Sequence, residues 1–510
     1  MFELTVQKYP HREALVYPEK NQRWTYSQWD SKVNQLANAF LAYGIKKGDR
    51  VSTFLFNTGE LVTTLFALAK IGAVFNPINF RLSGGELAFI LNDAGSRILL
   101  FEAAVAEQVD VARKELQTVE KFLYVDTNPP EYAQCFYEFF AGQPEDRPQV
   151  DVQENDRYII MYTSGTTGKP KGVIHRHRDM LEHNMAMIAD QKLTYRDRGL
   201  VAAPLNHAAE LHCFFLPRVH IGATNVIIHH FDPPRVLEIL AQEKISVLFG
   251  APTMLNMLLQ LKVEDYDLST LRLIGYGGAA MAPAMVKKCH EVFGADLLQY
   301  YGMTELGPAV TVLYPEEQLE RAGSAGKALL NHEVRVVRVR EDGPTEPEDV
   351  VEPGEVGEVI VRGPARMEGY YNRPEPTAKA LYKDWYHSGD LARIDEDGYI
   401  WITDRADDMI ISGAENIYPR EVEDVLYEHP EVVEAAVVGL PDEKWGKLVT
   451  AFVVVKNPGI SAGDLDTFLK DSNKLASFKR PRRYEILPQL PKTPSGKIQK
   501  FKLLQTYGRQ

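Results

Sequence analysis

Up to about residue 300, short apolar runs alternate with amphipathic stretches, and this alternation constrains the fold more than any other feature. Residues 51–56, 97–101, 121–125, 157–162, 200–204, 224–229, 246–250 and 271–276 read as strands. Residues 60–71, 233–243 and 283–293 read as helices between them. Such a succession predicts parallel sheets covered by helices. Ligands of such sheets bind beyond the carboxyl ends of the strands. From residue 326 to 404 the pattern changes. Residues 334–339, 355–362 and 399–403 alternate apolar and polar between Gly-rich or acidic turns, as antiparallel strands do, with an exposed Pro-rich loop at 341–353. After that, helices at 419–427 and 463–471 and strands at 434–438 and 449–455 form a small unit ending in a basic tail, 479–502. The expected fold class is α/β. A large N-terminal domain, 1–404, has parallel helix-covered sheets and a β-rich subdomain; a small α+β C-terminal domain spans 405–510.

The bulk properties narrow the function. A chain of 510 residues exceeds one ordinary core, and 45% hydrophobic with 25% charged residues marks a globular protein. The most apolar stretch, 61–74, is too short to span a membrane and contains Lys70. Residues 1–10 lack the basic start and apolar centre of a signal peptide, so the expected location is the cytoplasm. The three cysteines, Cys135, Cys213 and Cys289, show no metal spacing and read as buried, reduced thiols. A net charge of −13 argues against nucleic acid as a partner. An anionic ligand then needs local positive charge. A homodimer is compatible with the sequence, which leaves the oligomeric state open.

The chemistry is concentrated in residues 163–172: Thr163, Ser164, Gly165, Thr166, Thr167, Gly168, Lys169, Pro170, Lys171 and Gly172. This loop follows the apolar run 157–162. Backbone amides freed by glycine, four hydroxyls and two lysines make a phosphate cradle. The spacing is not that of a Walker loop, and Pro170 stands where a magnesium-binding Ser or Thr would start a helix. The bland alternative is a polar surface turn.

Other constellations are weak singly. Residues 299–305 read QYYGMTE: Tyr301 could stack on a base, Thr304 could touch a phosphate, and Glu305 is a hard ligand for magnesium. In 386–390 (YHSGD), Asp390 suits a ribose diol. In 404–419 (DRADDMIISGAENIYP), Arg405 suits phosphate or ribose, and Gly413 allows close passage of a thin ligand. Lys497 stands in a flexible PSGK loop, and His207 in PLNHAAEL follows a strand.

In order and spacing these motifs resemble the adenylate-forming superfamily, across nearly the whole chain from Trp24 to Lys497. Its members include acyl- and aryl-CoA synthetases, luciferases and peptide-synthetase adenylation domains. The resemblance implies ATP, magnesium and coenzyme A as co-substrates or cofactor, and a small carboxylic acid as substrate. It places the β- and γ-phosphates in the 163–172 loop and adenine on Tyr301. Gly278, Ala279, Ala280, Tyr300 and Gly302 fall in the same nucleotide site. By the same resemblance Thr304 meets the α-phosphate, Glu305 the magnesium, Asp390 the ribose, and Arg405 the ribose or phosphate. Lys497 bridges the carboxylate and the α-phosphate, and Asp407 is the hinge between the domains. Gly413, Ala414 and Glu415 line the pantetheine tunnel, where Ala414 replaces a glycine of many relatives. Arg81 and Arg480 meet coenzyme A phosphates, and Trp445 and Phe478 pack on its nucleotide or pantetheine; these four also suit a domain interface.

The acyl pocket implied by the resemblance is lined by 207–211, 249–254, 277–280 and 301–309. Those segments hold many small residues, no lysine or arginine, and only Glu210 and Glu305 as charges. An apolar monocarboxylate is therefore expected, a medium- or long-chain fatty acid first and an aryl acid second, with His207 as a gate or wall. Glu210 reads as pocket-mouth or structural. A peptide-synthetase adenylation domain would place an acid where Ala208 and Ala209 stand. A non-catalytic AMP- or acyl-binding regulator would lack Lys497 or Glu305, and both are present.

Overall fold

The computed structural model describes residues 1–508 except 164–169, 280, 341–342, 406–408, 413–414, 443–444, 473, 476 and 493–497, and gives only the backbone of 404, 405, 411, 415, 416 and 446. Two large sheets dominate the N-terminal part. One has nine strands, in spatial order Lys327–Ala328, Ala309–Leu313, Asp296–Gly302, Leu273–Gly277, Val247–Phe249, Arg198–Val201, Thr224–Ile227, Glu13–Tyr17 and Gln22–Thr25. The other has eight: Gly369–Tyr370, Lys171–Arg176, Arg157–Thr163, Val74–Pro77, Arg50–Phe54, Ser96–Phe101, Lys121–Tyr124 and Gln134–Cys135. Strand–helix alternation produced the parallel centres of both, as expected.

Toward three of the four edges the pairing turns antiparallel, which the alternation did not foretell; only the Gln134–Cys135 edge is parallel. Asp296–Gly302 pairs antiparallel with Ala309–Leu313, and Arg157–Thr163 with Lys171–Arg176. The 163–172 loop therefore joins two strands of a hairpin, not a strand to a helix. A connection this short cannot make the crossover that parallel strands need.

Helix Gly59–Ile71 is buried on nearly every face, which explains its all-round apolar sequence. It starts on a Thr58 cap. Its one cation, Lys70, is nearly buried and bonds Asp30 at 2.6 Å. No described helix is long and apolar enough to cross a membrane. Of the cysteines, Cys213 and Cys289 are buried as expected, while Cys135, on an edge strand, is only half-buried.

A five-stranded antiparallel sheet follows. Glu333–Val337, Val356–Arg362 and Trp385–Ile394 pair in turn, and Leu381–Tyr382 and Ile400–Arg405 both pair with Trp385–Ile394. The C-terminal part packs helices Pro419–Tyr427 and Ala462–Asp471 on a sheet of Val432–Asp442, Gly446–Val455 and Arg483–Ile486. Its own core gathers Val422, Leu426, Val437, Ala451, Leu465 and Leu469. The strands read from sequence, the β-rich subdomain and the small α+β unit are thus present, while Val74–Pro77, Lys171–Arg176, Ala309–Leu313 and Trp385–Ile394 are strands not expected from the sequence, and the basic tail contains strand Arg483–Ile486 and the start of helix Lys500–Tyr507.

Candidate active site

Tyr300 and Tyr301 are neighbours on a strand and so face opposite ways. Tyr300 enters a buried cluster with Phe214, Phe249 and Ala309. Tyr301 turns to the other face, where its hydroxyl donates to Asp390 Oδ2 at 2.7 Å. Asp390 lies on Trp385–Ile394, directly opposite Arg405 in the register. Its backbone amide donates to Ser388 Oγ at 3.0 Å, and that hydroxyl donates to the Val359 carbonyl at 2.6 Å. The fold thus brings Tyr301, Asp390 and the backbone of Arg405 to one rim.

A 3₁₀ turn, Thr304–Leu306, follows Tyr301. Glu305 is buried, 8% exposed, and accepts a hydrogen bond from the Tyr370 hydroxyl at 2.9 Å. Its carbonyl accepts from the Met367 amide at 2.8 Å. The Thr304 carbonyl accepts from His175 Nε2 at 2.7 Å. A carbonyl can only accept, so His175 carries its proton on Nε2. Burial also pushes the His175 pKa down, keeping the ring neutral. His175 sits on Lys171–Arg176, the strand that leaves the 163–172 loop. The loop's own strand is therefore tied to the Thr304–Glu305 turn. Neither His175 nor Tyr370 was singled out from sequence; for Tyr370 the Gly369-Tyr370-Tyr371 run was a signal to follow.

Of the predicted loop residues, Thr163 ends its strand with Oγ1 3.4 Å from the Lys171 carbonyl, to which it donates. The Lys171 ammonium lies 4.4 Å from the centre of the Tyr370 ring. Ser164, Gly165, Thr166, Thr167, Gly168 and Lys169 fall outside the described residues, as do Ala280, Asp407, Gly413, Ala414 and Lys497, and so do the side chains of Arg405 and Glu415. Gly278 and Ala279 are exposed just beyond the carboxyl end of strand Leu273–Gly277, and Gly302 ends its own strand.

Around the expected acyl pocket, Phe214 is fully buried. A Cβ at Gly275 would sit 2.2 Å from Phe214 Cζ, so only glycine lets this ring lie on the strand. Phe249 stacks on Phe214 at 4.9 Å. His207 is half-buried, and desolvation lowers its pKa to about 4, with the Arg81 charge adding to the shift. It is neutral near pH 7. Arg81, outside the expected pocket segments, is exposed, with its guanidinium 5.4 Å from the centre of the Phe80 ring.

Glu210 resolves to the structural reading. It and Arg218 are both fully buried and paired at 3.0 Å, and Arg218 Nε donates to Asn225 Oδ1 at 2.8 Å. A Cβ at Gly199 would fall 2.3 Å from Arg218 Nε, so glycine makes the room for the guanidinium. In the C-terminal part, Trp445 carries the Arg482 guanidinium on its ring at 4.1 Å. Phe478 packs against the domain's core, and Arg480 lies 3.7 Å from Asp466.

A two-sheet domain with an acidic turn beside the hairpin of the Gly-rich loop, followed by a small C-terminal domain, is the arrangement expected of an adenylate-forming enzyme. The chain belongs to the AMP-binding enzyme family, which matches residues 2–371, with the AMP-binding enzyme C-terminal domain matching 421–497. It is 35% identical over 502 residues to the long-chain-fatty-acid–CoA ligase FadD13 of Mycobacterium tuberculosis, covering 98% of this chain and 96% of that protein. It is 39% identical over 487 residues to a feruloyl-CoA synthase of Amycolatopsis sp, covering 95% and 94%. Among solved structures, the O-succinylbenzoate coenzyme A synthetase of Bacillus subtilis, in complex with ATP and magnesium ion, superposes with a TM-score of 0.85 at 31% identity, covering 98% of each chain.

Proposed function

We propose that the acid activated by this AMP-forming acyl-CoA synthetase is an apolar monocarboxylate, and that the residues gathered around Glu305 carry its adenylation. The observation that carries this reading is the meeting of three distant segments at one turn: His175 on Thr304, Tyr370 on Glu305, and Tyr301 on Asp390.

In the first half-reaction a carboxylate oxygen of the acid attacks the α-phosphorus of ATP. The bond from that phosphorus to the pyrophosphate oxygen breaks, leaving an acyl-adenylate. In the second, the thiol of coenzyme A attacks the acyl carbon and gives its proton to solvent. The carbon–oxygen bond to the phosphate breaks, and AMP departs. The first step brings an anion against a polyphosphate, so its barrier is largely electrostatic. Glu305 fits a magnesium ion: it is a hard oxygen donor at the turn where phosphates would lie, and magnesium takes one or two carboxylates with phosphate oxygens. Magnesium, when bound, supplies charge neutralisation at those phosphates. The 163–172 loop is assigned the β- and γ-phosphates, Thr304 the α-phosphate, Tyr301 adenine, and Asp390 with Arg405 the ribose. Lys497 is assigned the carboxylate and α-phosphate. Rotation at Asp407 between domains 1–404 and 405–510 then exchanges Lys497 for the loop of Gly413, Ala414 and Glu415. Arg81, Trp445, Phe478 and Arg480 are assigned to coenzyme A. The enzyme is read as cytoplasmic, and sedimentation would decide whether it is a homodimer.

The acid is read as a medium- or long-chain fatty acid. Pairing with Arg218 takes the Glu210 charge out of the pocket, and with Glu305 assigned to magnesium the remaining wall is apolar or neutral. An aryl acid is the second reading, favoured by the Phe214 ring, whose tip presses on Gly275 and which stacks on Phe249 beside the expected pocket. The test is kcat/KM for octanoate, palmitate, ferulate, benzoate and succinate, followed as coenzyme A-dependent AMP formation. A fatty acid should lead. A lead for ferulate or benzoate moves the assignment to aryl acids. A lead for succinate refutes the apolar pocket and would give Arg81 a role in pairing with the second carboxylate.

A further inference from the structure

Residues 368–373 cross the base of the phosphate-loop hairpin and are pinned there along their length. Gly369–Tyr370 pairs as an edge strand with Ile174 and Val173. The Glu368 amide donates to the Ile174 carbonyl at 3.0 Å, and the Tyr371 amide to the Gly172 carbonyl at 2.7 Å. The Tyr370 amide donates to Thr377 Oγ1 at 2.9 Å. Ion pairs secure the ends: Arg157 to Glu368, and Arg373 to Asp93 at 2.5 Å. Asp93 also accepts from the Tyr162 hydroxyl at 2.8 Å, one residue before the loop strand ends.

This strap delivers one buried side chain to the turn. Tyr370 is 6% exposed. Its hydroxyl donates to Glu305 Oε1 at 2.9 Å, and it lies 3.3 Å from the Tyr386 hydroxyl, on the strand that carries Asp390. With the Tyr370 proton on the carboxylate, Tyr386 donates to Tyr370. The other face of the ring system meets the loop: the Lys171 ammonium is 4.4 Å from the ring centre. A cation over a phenol face is attracted to it.

We propose that Tyr370 is the positioning residue for Glu305 as a metal ligand, and that Lys171 holds the Tyr370 ring in place from the phosphate-loop side. The inference rests on the assignment of magnesium to Glu305. A hydrogen bond on one carboxylate oxygen fixes the carboxylate plane and its side-chain rotamer. Magnesium tolerates little error, demanding near-octahedral ligands at about 2.0–2.1 Å. Groups that orient metal ligands typically govern affinity by roughly 10- to 100-fold. Tyr370 would thereby couple three parts of the site: the loop through Lys171, the metal through Glu305, and the ribose strand through Tyr386.

The experiment uses the full-length enzyme, Mn²⁺ as the probe, and α,β-methylene-ATP, which cannot form an adenylate. Bound Mn²⁺ is read by electron paramagnetic resonance. Tyr370→Phe keeps the ring and its packing and removes only the hydroxyl. It should weaken Mn²⁺ binding about tenfold. Thioester formation from supplied acyl-adenylate, which needs no pyrophosphate departure, should stay at the wild-type rate. Lys171→Met should weaken Mn²⁺ binding in the same direction, with a smaller effect in the Tyr370→Phe background than alone. Wild-type Mn²⁺ affinity in Tyr370→Phe overturns the proposal. So does equal loss of both half-reactions with a lowered Tm, which is what a purely structural tyrosine would give. If Glu305→Gln keeps wild-type Mn²⁺ affinity, the metal assignment itself falls, and this proposal with it.

Discussion

Glu210 and Glu305 are both buried carboxylates that the sequence places near the acyl pocket, and the fold treats them in opposite ways. Glu210 faces Arg218, with both side chains fully shielded and the guanidinium held by Asn225. Glu305 receives a neutral phenol, Tyr370, from a strap that also pins the phosphate-loop hairpin. A buried carboxylate given a dedicated arginine is committed to the architecture. One oriented by a hydroxyl, at a strand end beside the phosphate loop, is shaped for chemistry. Acid residues expected at one pocket therefore separate by partner, not by exposure.

The comparison breaks most visibly at Arg218. Arg218→Met leaves Glu210 buried without its partner and should cost about 3–5 kcal/mol of stability, read from denaturant unfolding. Restoring neutrality with Glu210→Met in the same chain should recover most of that loss, since an apolar pair of similar volume is often as stable as the ion pair. No recovery would mean that the pair does more than neutralise itself.

Glu305 should show the reverse profile. Glu305→Gln is expected to slow pyrophosphate release on the order of 10²-fold while the unfolding midpoint barely moves. Lys497→Ala should match it in the first half-reaction and spare thioester formation from supplied acyl-adenylate. A large stability loss in Glu305→Gln would put Glu305 in the same class as Glu210.

The smallest effect is in pH dependence. His175, His183 and His212 are fully buried, and desolvation lowers all three pKa values. Below about pH 6.5, the ordinary histidine value, the unfolded chain gains protons that the folded chain refuses. Stability should therefore fall as pH drops through that value, by up to about 1.4 kcal/mol per pH unit for each histidine. Replacing His183 with Gln should flatten this slope, measured as Tm against pH. An unchanged slope would mean these rings titrate equally in both states.

The sequence made the parallel strands and the long buried helix legible because periodicity and length report local structure directly. Tyr301 and Asp390 were each legible through motif order, and the hydrogen bond that joins them was not. What escaped depends on contacts between distant segments. The hairpin geometry of the phosphate loop needs Lys171–Arg176 to be a strand, and its single flanking turn carries no such mark. His175 and Tyr370 gain meaning only when two sheets bring them to one turn. The Glu210–Arg218 pair was hidden for a local reason. Residues Ala209–Phe215 form a π-helical turn, which shifts the side-chain register away from the 3.6-residue repeat used to read helices.

The central claim is that a carboxylate oxygen attacks the α-phosphorus of ATP. Turnover with a fatty acid labelled with ¹⁸O at both carboxyl oxygens tests it directly, by mass spectrometry of the products. The account predicts one ¹⁸O in the AMP phosphate and none in pyrophosphate. Label in pyrophosphate or inorganic phosphate, with unlabelled AMP, would contradict it.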